Sequence, residues 1–457
     1  MRMNAAGVMM NKGYTRNTGY GRFGYELHNA MFRAGVKDYG PVGVNEQEMG
    51  PPEAVGPVAF YAATPPHVLG WHEGQTGVIF TMWEFSEMPV GFRENIPEFD
   101  RVFVPSLQNL ELFSHFNADV RYVPLAVDRA WHYQERPDPS ERFNFFTGGA
   151  GPRKGCYNVI TAFEKVFKGW KPSWGPEPHL TVRASNVYRP DVSHNLASHT
   201  GFGGRTSFGD DRIHYLQGFV SDQAEVDLYA KMHCFVSGSK GEGWGFMPHQ
   251  AIAQGMPTIL APHSGHAAFA HRGIPIGYKL RTPEIHTHWG AAGMEWDPNF
   301  DEMCEAMKDV YDNYEAHAFR AKFNAIRIAD DFSWEQTAAS VIEQIPELWG
   351  RDVSPNAPWK LMPQRLYPVR VQWHDTWNVN GQLRTYDPGF LYQLPWADKL
   401  RLAETGNLDP SCVDPREVGV DPRMQPPTDA PTHCPHCNQK YGSDRTFLEL
   451  QDKVSHG

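Results

Sequence analysis

Ser237-Gly238-Ser239-Lys240-Gly241-Glu242-Gly243-Trp244-Gly245-Phe246-Met247-Pro248-His249-Gln250-Ala251-Ile252-Ala253-Gln254-Gly255-Met256-Pro257-Thr258-Ile259 is the stretch on which the reading of this chain turns. It continues an apolar run, Cys234-Phe235-Val236, into a glycine loop. A short helical segment stopped by Gly255 follows, and then a second apolar run, Thr258-Ile259-Leu260. Glycines let a backbone approach a ligand, and a helix that starts at the end of such a loop leaves its first amides free to face an anion. Glu242 stands where a carboxylate can bond sugar hydroxyls. The amides of Gly243 to Gly245 stand where they can hold phosphate, and Gln250, one turn into the helix, can reach a ribose.

Working outward, the same alternation recurs. Val78-Ile79-Phe80-Thr81-Met82, Val102-Phe103-Val104, Phe143-Asn144-Phe145-Phe146 and Leu180-Thr181-Val182 are short, nearly continuous apolar runs. Strands of a parallel sheet covered on both faces have this character. Between them lie helical periodicities. Leu27, Ala30, Met31 and Ala34 form one stripe, with Gly35 as its stop, and Val159, Ile160, Phe163, Val166 and Phe167 form another. The fold class is α/β with parallel sheets. Some 330 residues of this pattern exceed one sheet, so two Rossmann-like domains are expected, with ligands at the carboxyl ends of the strands. After residue 350 the composition changes: 13 of the 37 prolines fall in the last 107 residues, which points to an appendage of loops and short elements.

Composition removes several function classes. The chain of 457 residues is 41% hydrophobic and 21% charged, a globular balance. Its 42 Lys+Arg against 53 Asp+Glu give a net charge of −11, which argues against broad binding to duplex DNA or anionic membranes. No apolar run reaches the ~20 residues of a membrane helix. The first residues lack a secretory h-region, and six cysteines make no disulfide scaffold, so a reducing cytoplasm (a host's, if the protein is viral) is expected.

Two more loops carry chemistry. Gly19-Tyr20-Gly21-Arg22-Phe23-Gly24 opens a helix and formally matches the dinucleotide pattern G-x-G-x-x-G. The polar stretch Asn11 to Thr18 separates it from any evident strand, and no ribose-binding acid ends a following strand. It reads either as a tight turn or as an anion-friendly helix start. The second loop, Thr147-Gly148-Gly149-Ala150-Gly151-Pro152-Arg153-Lys154-Gly155, leaves a strand and enters a helix. Its glycines with adjacent Arg153 and Lys154 suit a diphosphate, and it lacks the spacing of a Walker A loop.

These segments together resemble the retaining glycosyltransferases of family 4, with the GT-B fold. The stretch from Glu242 to Gln250 resembles the E-x7-E signature, and Gly19 to Gly35 the first glycine loop and helix. Met82-Trp83-Glu84, Val102 to Ser106, Tyr122 to Asp128, Lys154-Gly155 and Phe332-Ser333-Trp334-Glu335 match further segments in order. The resemblance implies an amino-terminal acceptor-side domain over residues 1–127 and a nucleotide-sugar domain over 128–330. A crossover helix would occupy 331–350 and a Pro-rich tail 351–457. It implies transfer of a sugar from a UDP- or GDP-sugar to an acceptor hydroxyl with retention, and no cofactor. Lys154 would bind the donor diphosphate, and Glu242 would contact the transferred sugar. Gly149 stands where the family has an arginine, with Arg153 as the neighbouring guanidinium. Gln250 stands where the family has the ribose-binding Glu. Gly19, Gly21, Gly149, Gly243, Trp244, Gly245 and Phe246 would line the donor site.

Other features are more open. Trp83 could face an acceptor or be core, with Glu84 and Arg22 as further acceptor-side candidates. His263 and His266 follow a strand and read as polar cleft residues rather than a metal pair. Cys434 and Cys437 form a C-x2-C knuckle that, with Cys412 and His433, could hold a structural zinc. Candidate acceptors are a glycan, a small molecule, or a hydroxymethylated base of DNA served by a groove of Arg16, Arg22, Arg93 and Arg121. Two other classes stand beside the enzyme reading: a catalytically silent sugar-nucleotide binder, and an NAD-dependent oxidoreductase built on Gly19, Gly21 and Gly24. No Asp-x-Asp triplet occurs, which fits a metal-free diphosphate site. Oligomeric state is not legible.

Overall fold

The computed structural model describes residues 7–10, 18–37, 56–68, 70–149, 152–183, 210–216, 221–282, 293–351, 353–354, 359–361, 366–369, 375–379, 382–386 and 392–395. Two all-parallel sheets organise it. The first has the order β1 (Gly7–Met10), β2 (Val58–Ala62), β4 (Thr76–Phe80), β5 (Arg101–Val104), β6 (Val120–Tyr122). The second runs β12 (Ile274–Pro275), β11 (Thr258–Leu260), β10 (Cys234–Val236), β7 (Arg142–Gly148), β8 (Glu177–Arg183), β9 (Ile213–Leu216). This is the mixed α/β architecture of two parallel-sheet lobes expected of a GT-B fold. The central strands are buried on both faces, as their unbroken apolar runs require.

Strands β1 and β2 lie outside the runs singled out from the sequence. Gly7-Val8-Met9-Met10 is only one β-branched residue long in β propensity, yet it pairs in parallel with Ala59 to Ala62. The glycine loop at Gly19 therefore does follow a strand, a correction to its apparent isolation.

The helix after that loop, α1 (Gly19–Arg33), starts on Thr18, whose hydroxyl accepts the Gly21 amide at 3.0 Å. It ends at Gly35 (φ +93°), where Val36 N–H bonds the Met31 carbonyl and Gly35 N–H the Phe32 carbonyl, both at 3.0 Å. Two backbone carbonyls are thereby satisfied by a left-handed glycine. Helices α2 (Val90–Asn95) and α3 (Leu107–Ser114) complete the connections of the first lobe. In the second, α4 (Cys156–Val166), α5 (Asp222–Ala230), α6 (Phe246–Ala253), α7 (Phe300–Asp312) and α8 (Tyr314–Asp331) do so.

Helix α9 (Trp334–Glu343) begins with a capping box between Ser333 and Gln336. Its buried stripe, Trp334, Ala338 and Val341, joins Leu27 and Met31 of α1 in one apolar cluster, so this helix returns to the first lobe. The indole of Trp334 donates to Asp128 at 2.8 Å. Ahead of it in the chain, β13 (Tyr278–Arg281) and β14 (Glu295–Pro298) pair antiparallel, and beyond it β15 (Trp359–Leu361) pairs antiparallel with β3 (Gly70–His72). Strands β16 (Leu366–Val369) and β19 (Tyr392–Pro395) form one further antiparallel pair, and β17 (Asp375–Val379) and β18 (Gln382–Tyr386) another.

The order of the second sheet fixes where a ligand goes. From β7 the chain builds outward through β8 and β9 on one side, and through β10, β11 and β12 on the other. The crevice between the carboxyl ends of β7 and β10 is thus the topological switch point, where open α/β sheets bind ligands. The loops leaving those two strands are the two singled out above.

Candidate active site

At the switch point the two loops meet backbone to backbone. Gly155, in the left-handed conformation (φ +60°), caps α4, and a Cβ there would lie 1.8 Å from the Gly238 carbonyl oxygen. A Cβ on Gly238 would lie 2.3 Å from the Gly155 oxygen. Only glycine fits either position, and Lys240 N–H completes the seam by donating to the Arg153 carbonyl at 2.8 Å.

This contact brings Arg153 and Lys154 against Glu242. Lys154 Nζ donates to both carboxylate oxygens, at 2.6 and 2.7 Å, Ser239 Oγ donates to Oε1 at 2.8 Å, and Arg153 Nη1 stands 3.5 Å from Oε2. Burial by itself would raise the Glu242 pKa, but the facing Lys154 and Arg153 outweigh it and hold the carboxyl well below the ordinary range. Burial also draws Lys154 down from an ordinary lysine. The bidentate contact decides the pair's state: carboxylate with ammonium.

The Glu242 loop is held from behind by His263. Its Nε2 lies 2.9 Å from the Ser239 carbonyl, which only accepts, so Nε2 carries the proton. Its Nδ1, 3.0 Å from Ser264 Oγ, then accepts that hydroxyl, and Ser264 Oγ in turn accepts the Glu242 amide at 3.0 Å. Ser264 pays for this role with a left-handed φ of +44°, a conformation unfavourable for a residue with a Cβ. His266 lies deeper. Its ring fills the space a Cβ on Gly245 would need, 2.5 Å from Cδ2, and neither ring nitrogen has a hydrogen-bond partner among the described residues. The Ala261 carbonyl lies beside the ring outside hydrogen-bond geometry. Gly245 (φ +98°) is the N-cap of α6 and offers no capping side chain, so the first turn of that helix keeps its amides for a ligand.

Arg153, Lys154, Ser239, Glu242 and Gly245 border a cavity of ≈ 310 Å³ between the lobes. The second lobe contributes Gly149, Arg153, Lys154, Glu242, Gly243 and Gly245, with Trp244, Phe246 and Gln250 at the same loop and helix. The first lobe contributes Gly19, Tyr20, Arg22, Met82 and Glu84. Tyr20 ties the glycine loop to the end of β4 by donating to the Met82 carbonyl at 2.9 Å. Glu84 stands 3.5 Å from Arg153 across the cleft.

Most of the residues expected from the sequence therefore converge. Three do not act as expected. Trp83 turns away: it is buried against Phe85 and Phe92, with its Nε1 donating to the Glu87 carbonyl, so it is core and not acceptor surface. The reason is strand-like alternation, which sends Met82 and Glu84 to the cavity and Trp83 inward. Gly21 is absent from the cavity wall, and its amide donates to Thr18. Arg22 lines the cavity, but its guanidinium is buried among Asp128 and Asp222, each at 2.9 Å, and Glu225 at 3.6 Å. Burial would lower its pKa, yet these carboxylates raise it. Arg22 is enclosed, Arg121 is bound to Asp119 at 2.6 Å, Arg93 is exposed on α2, and Arg16 lies outside the described residues. So do Cys412, His433, Cys434 and Cys437, the zinc candidates. The dinucleotide reading needs an acid at the end of β2, where Ala63 and Thr64 stand instead.

Sequence reasoning missed Arg183 and Glu225, which also line the cavity. Arg183 ends β8 at its carboxyl edge, a position that the strand assignment could have flagged. Glu225 comes from α5, and nothing local signals that it reaches the site.

The model of a family described as "Family 4 Glycosyltransferase in conflict systems" matches residues 110–341. This chain belongs to that family. No curated protein matches its sequence. Among solved structures similar to this family 4 glycosyltransferase is TarM, 12% identical with a TM-score of 0.44, over 61% of this chain and 51% of TarM. Sucrose-phosphate synthase from Thermosynechococcus elongatus is 15% identical, with a TM-score of 0.46, over 60% of this chain and 68% of that one. WaaG, a glycosyltransferase involved in lipopolysaccharide biosynthesis, is 14% identical with a TM-score of 0.46, over 73% and 97%. The chain spans about half the length of TarM. No helix among the described residues is long and apolar enough to cross a membrane.

Proposed function

We propose that this family 4 glycosyltransferase moves a sugar from a UDP- or GDP-sugar to an acceptor hydroxyl with retention of configuration, using the cations of the chain rather than a metal. The observation that carries the reading is the meeting of Arg153, Lys154 and Glu242 with the uncapped start of α6 at one switch point. Cleaving the bond between sugar C1 and the β-phosphate oxygen leaves positive charge on the ring and an electron pair on the departing diphosphate. Lys154, Arg153 and the α6 amides are fixed donors for that developing negative charge. Both oxygens of Glu242 are occupied by Lys154, and Oε1 also by Ser239, so Glu242 orients the sugar rather than attacking C1. The acceptor oxygen then bonds C1 from the face the phosphate leaves, and its proton passes to the leaving phosphate oxygen. Glu84, on the opposite wall, faces the incoming acceptor.

The test is a panel of UDP- and GDP-sugars with glycan, small hydroxylated and hydroxymethylated-DNA acceptors, with the product anomer assigned by NMR. Transfer with retention, lost in Lys154→Ala, is the expected result. Nucleotide binding without turnover on any acceptor would make the protein a silent binder, and an inverted product would remove the retaining mechanism.

A further inference from the structure

We propose that Arg183 is a second diphosphate-binding cation of this site, holding the phosphate remote from the transferred sugar, with Glu225 as its positioning partner. The inference rests on the nucleotide-sugar reading above and assigns a part of that site to a residue on a different strand.

Among the described residues the cavity wall holds four cations, and three of them each engage two or more acceptor oxygens of the protein. Lys154 spends two N–H groups on Glu242. Arg153 is held by the Gly241 carbonyl, Glu242 and Glu84. Arg22 donates one edge to Asp128 and another to Asp222. Arg183 differs. Its Nη1 donates to Glu225 Oε1, while its Nε and Nη2 have no hydrogen-bond partner among the described residues. Its side chain is 15% exposed and borders the cavity. A guanidinium anchored on one edge and open on the other is arranged to grip a phosphate with that open edge.

Its position also fits. In the β7–β8 register Gly148 pairs with Arg183, and the Gly149 amide donates to the Arg183 carbonyl at 3.0 Å. Neither glycine can carry a side chain. A Cβ at 148 would lie 2.9 Å from the Arg183 carbonyl oxygen, and one at 149 would lie 2.6 Å from Lys154 Cγ with φ at +125°. The phosphate loop therefore supplies no charge of its own on that side. Arg183, one strand over, about 5 Å away in the sheet, fills the gap. Lys154, at the β7–β10 crevice, lies toward Glu242 and the transferred sugar. A diphosphate that reaches from Lys154 across Gly148 and Gly149 presents its far phosphate to Arg183. Glu225 fixes the rotamer and is itself steadied by Arg22, 3.6 Å from its other oxygen.

The experiment is calorimetric titration of the full chain with UDP, GDP, UMP and uridine, using wild type, Arg183→Gln, Arg183→Lys and Lys154→Ala. Thermal unfolding without ligand checks that each variant is folded. Arg183→Gln is expected to weaken the preferred nucleoside diphosphate and UMP alike by about ten- to a hundredfold. Uridine affinity should stay unchanged and Arg183→Lys should recover part of the loss, which a purely structural role would not produce. If wild type binds a diphosphate, Lys154→Ala loses it and Arg183→Gln keeps it within twofold, this assignment is overturned while the donor reading stands. If wild type binds neither UDP nor GDP, the donor reading falls and this assignment with it.

Discussion

Acidification from pH 7.5 to 5.5 should remove much of the stability of this fold, and four histidines set the size of the effect. His233, His249, His263 and His266 are all buried, at no more than 2% exposure. Burial pushes their pKa values down to about 4, 3, 3 and 4 from an ordinary 6.5. Geometry agrees for three of them. His233 Nδ1 accepts the Asn144 amide, His249 Nδ1 accepts the Trp244 indole N–H, and His263 Nδ1 accepts the Ser264 hydroxyl. Protonation would set donor against donor at the first two and force the Ser264 hydroxyl to reverse its bond at His263. The sign follows from linkage: the folded pKa lies below the unfolded one, so the unfolded chain takes up protons first. The stabilisation is fully present above pH 6.5 and is lost as pH falls toward about 4. At pH 5.5, one unit below the unfolded value, each histidine costs roughly 1 kcal/mol. Together the four cost on the order of 4–5 kcal/mol, a large share of a typical folding free energy of roughly 5–15 kcal/mol. His179, His214 and His271, also lowered mainly by burial, act in the same direction. Urea unfolding at the two pH values, with the m-value held as a check on the end states, measures the difference. A loss below about 1 kcal/mol would refute the reasoning, because it would mean these rings accept protons in place.

Gly155→Ala, facing a carbonyl 1.8 Å from its new Cβ in a left-handed turn, should cost roughly 2–4 kcal/mol by chemical denaturation and abolish donor binding. Glu242→Ala strips the counter-ion from Lys154, whose side chain is 25% exposed, and should cost roughly 1–3 kcal/mol, with inorganic pyrophosphate raising the melting temperature of the variant more than that of wild type. Trp83→Leu should destabilise by roughly 2–4 kcal/mol while leaving the acceptor KM unchanged, since its ring sits in the core. Gly149→Arg, although it supplies a cation, should lower nucleotide affinity in titration calorimetry because the Lys154 stem occupies its space.

What the sequence disclosed depended on how local the cause was. The four inner strands of the second sheet, β7, β8, β10 and β11, hold short apolar runs because both faces are covered, and the loops that leave β7 and β10 carry their chemistry in adjacent residues. Those were readable. Strand β1 was not, since four residues with two methionines carry little β preference and its parallel pairing with β2 is made far along the chain. Trp83 was readable in principle: period-two alternation with Met82 and Glu84 decides its direction once one neighbour faces the cleft. Arg183 and Glu225 belong to different elements and meet only through the β7–β8 register and the packing of α5. The cage of His263 and Ser264 behind Glu242 likewise needs the turn after β11 to bring a neighbouring loop into contact.

The pairing of β15 with β3 bears on how the molecule is made. Strand β3 leaves the ribosome early, and the residues that cover it, Trp359–Leu361, are synthesised only after the whole second sheet and α9. At about 5–20 residues per second the wait is roughly fifteen seconds to a minute. Through that interval β3 presents open backbone amides and carbonyls that any passing strand could capture. The lobe begun first is therefore the last to be finished, and a shortened chain that ends before Trp359 would keep its nascent vulnerability for life.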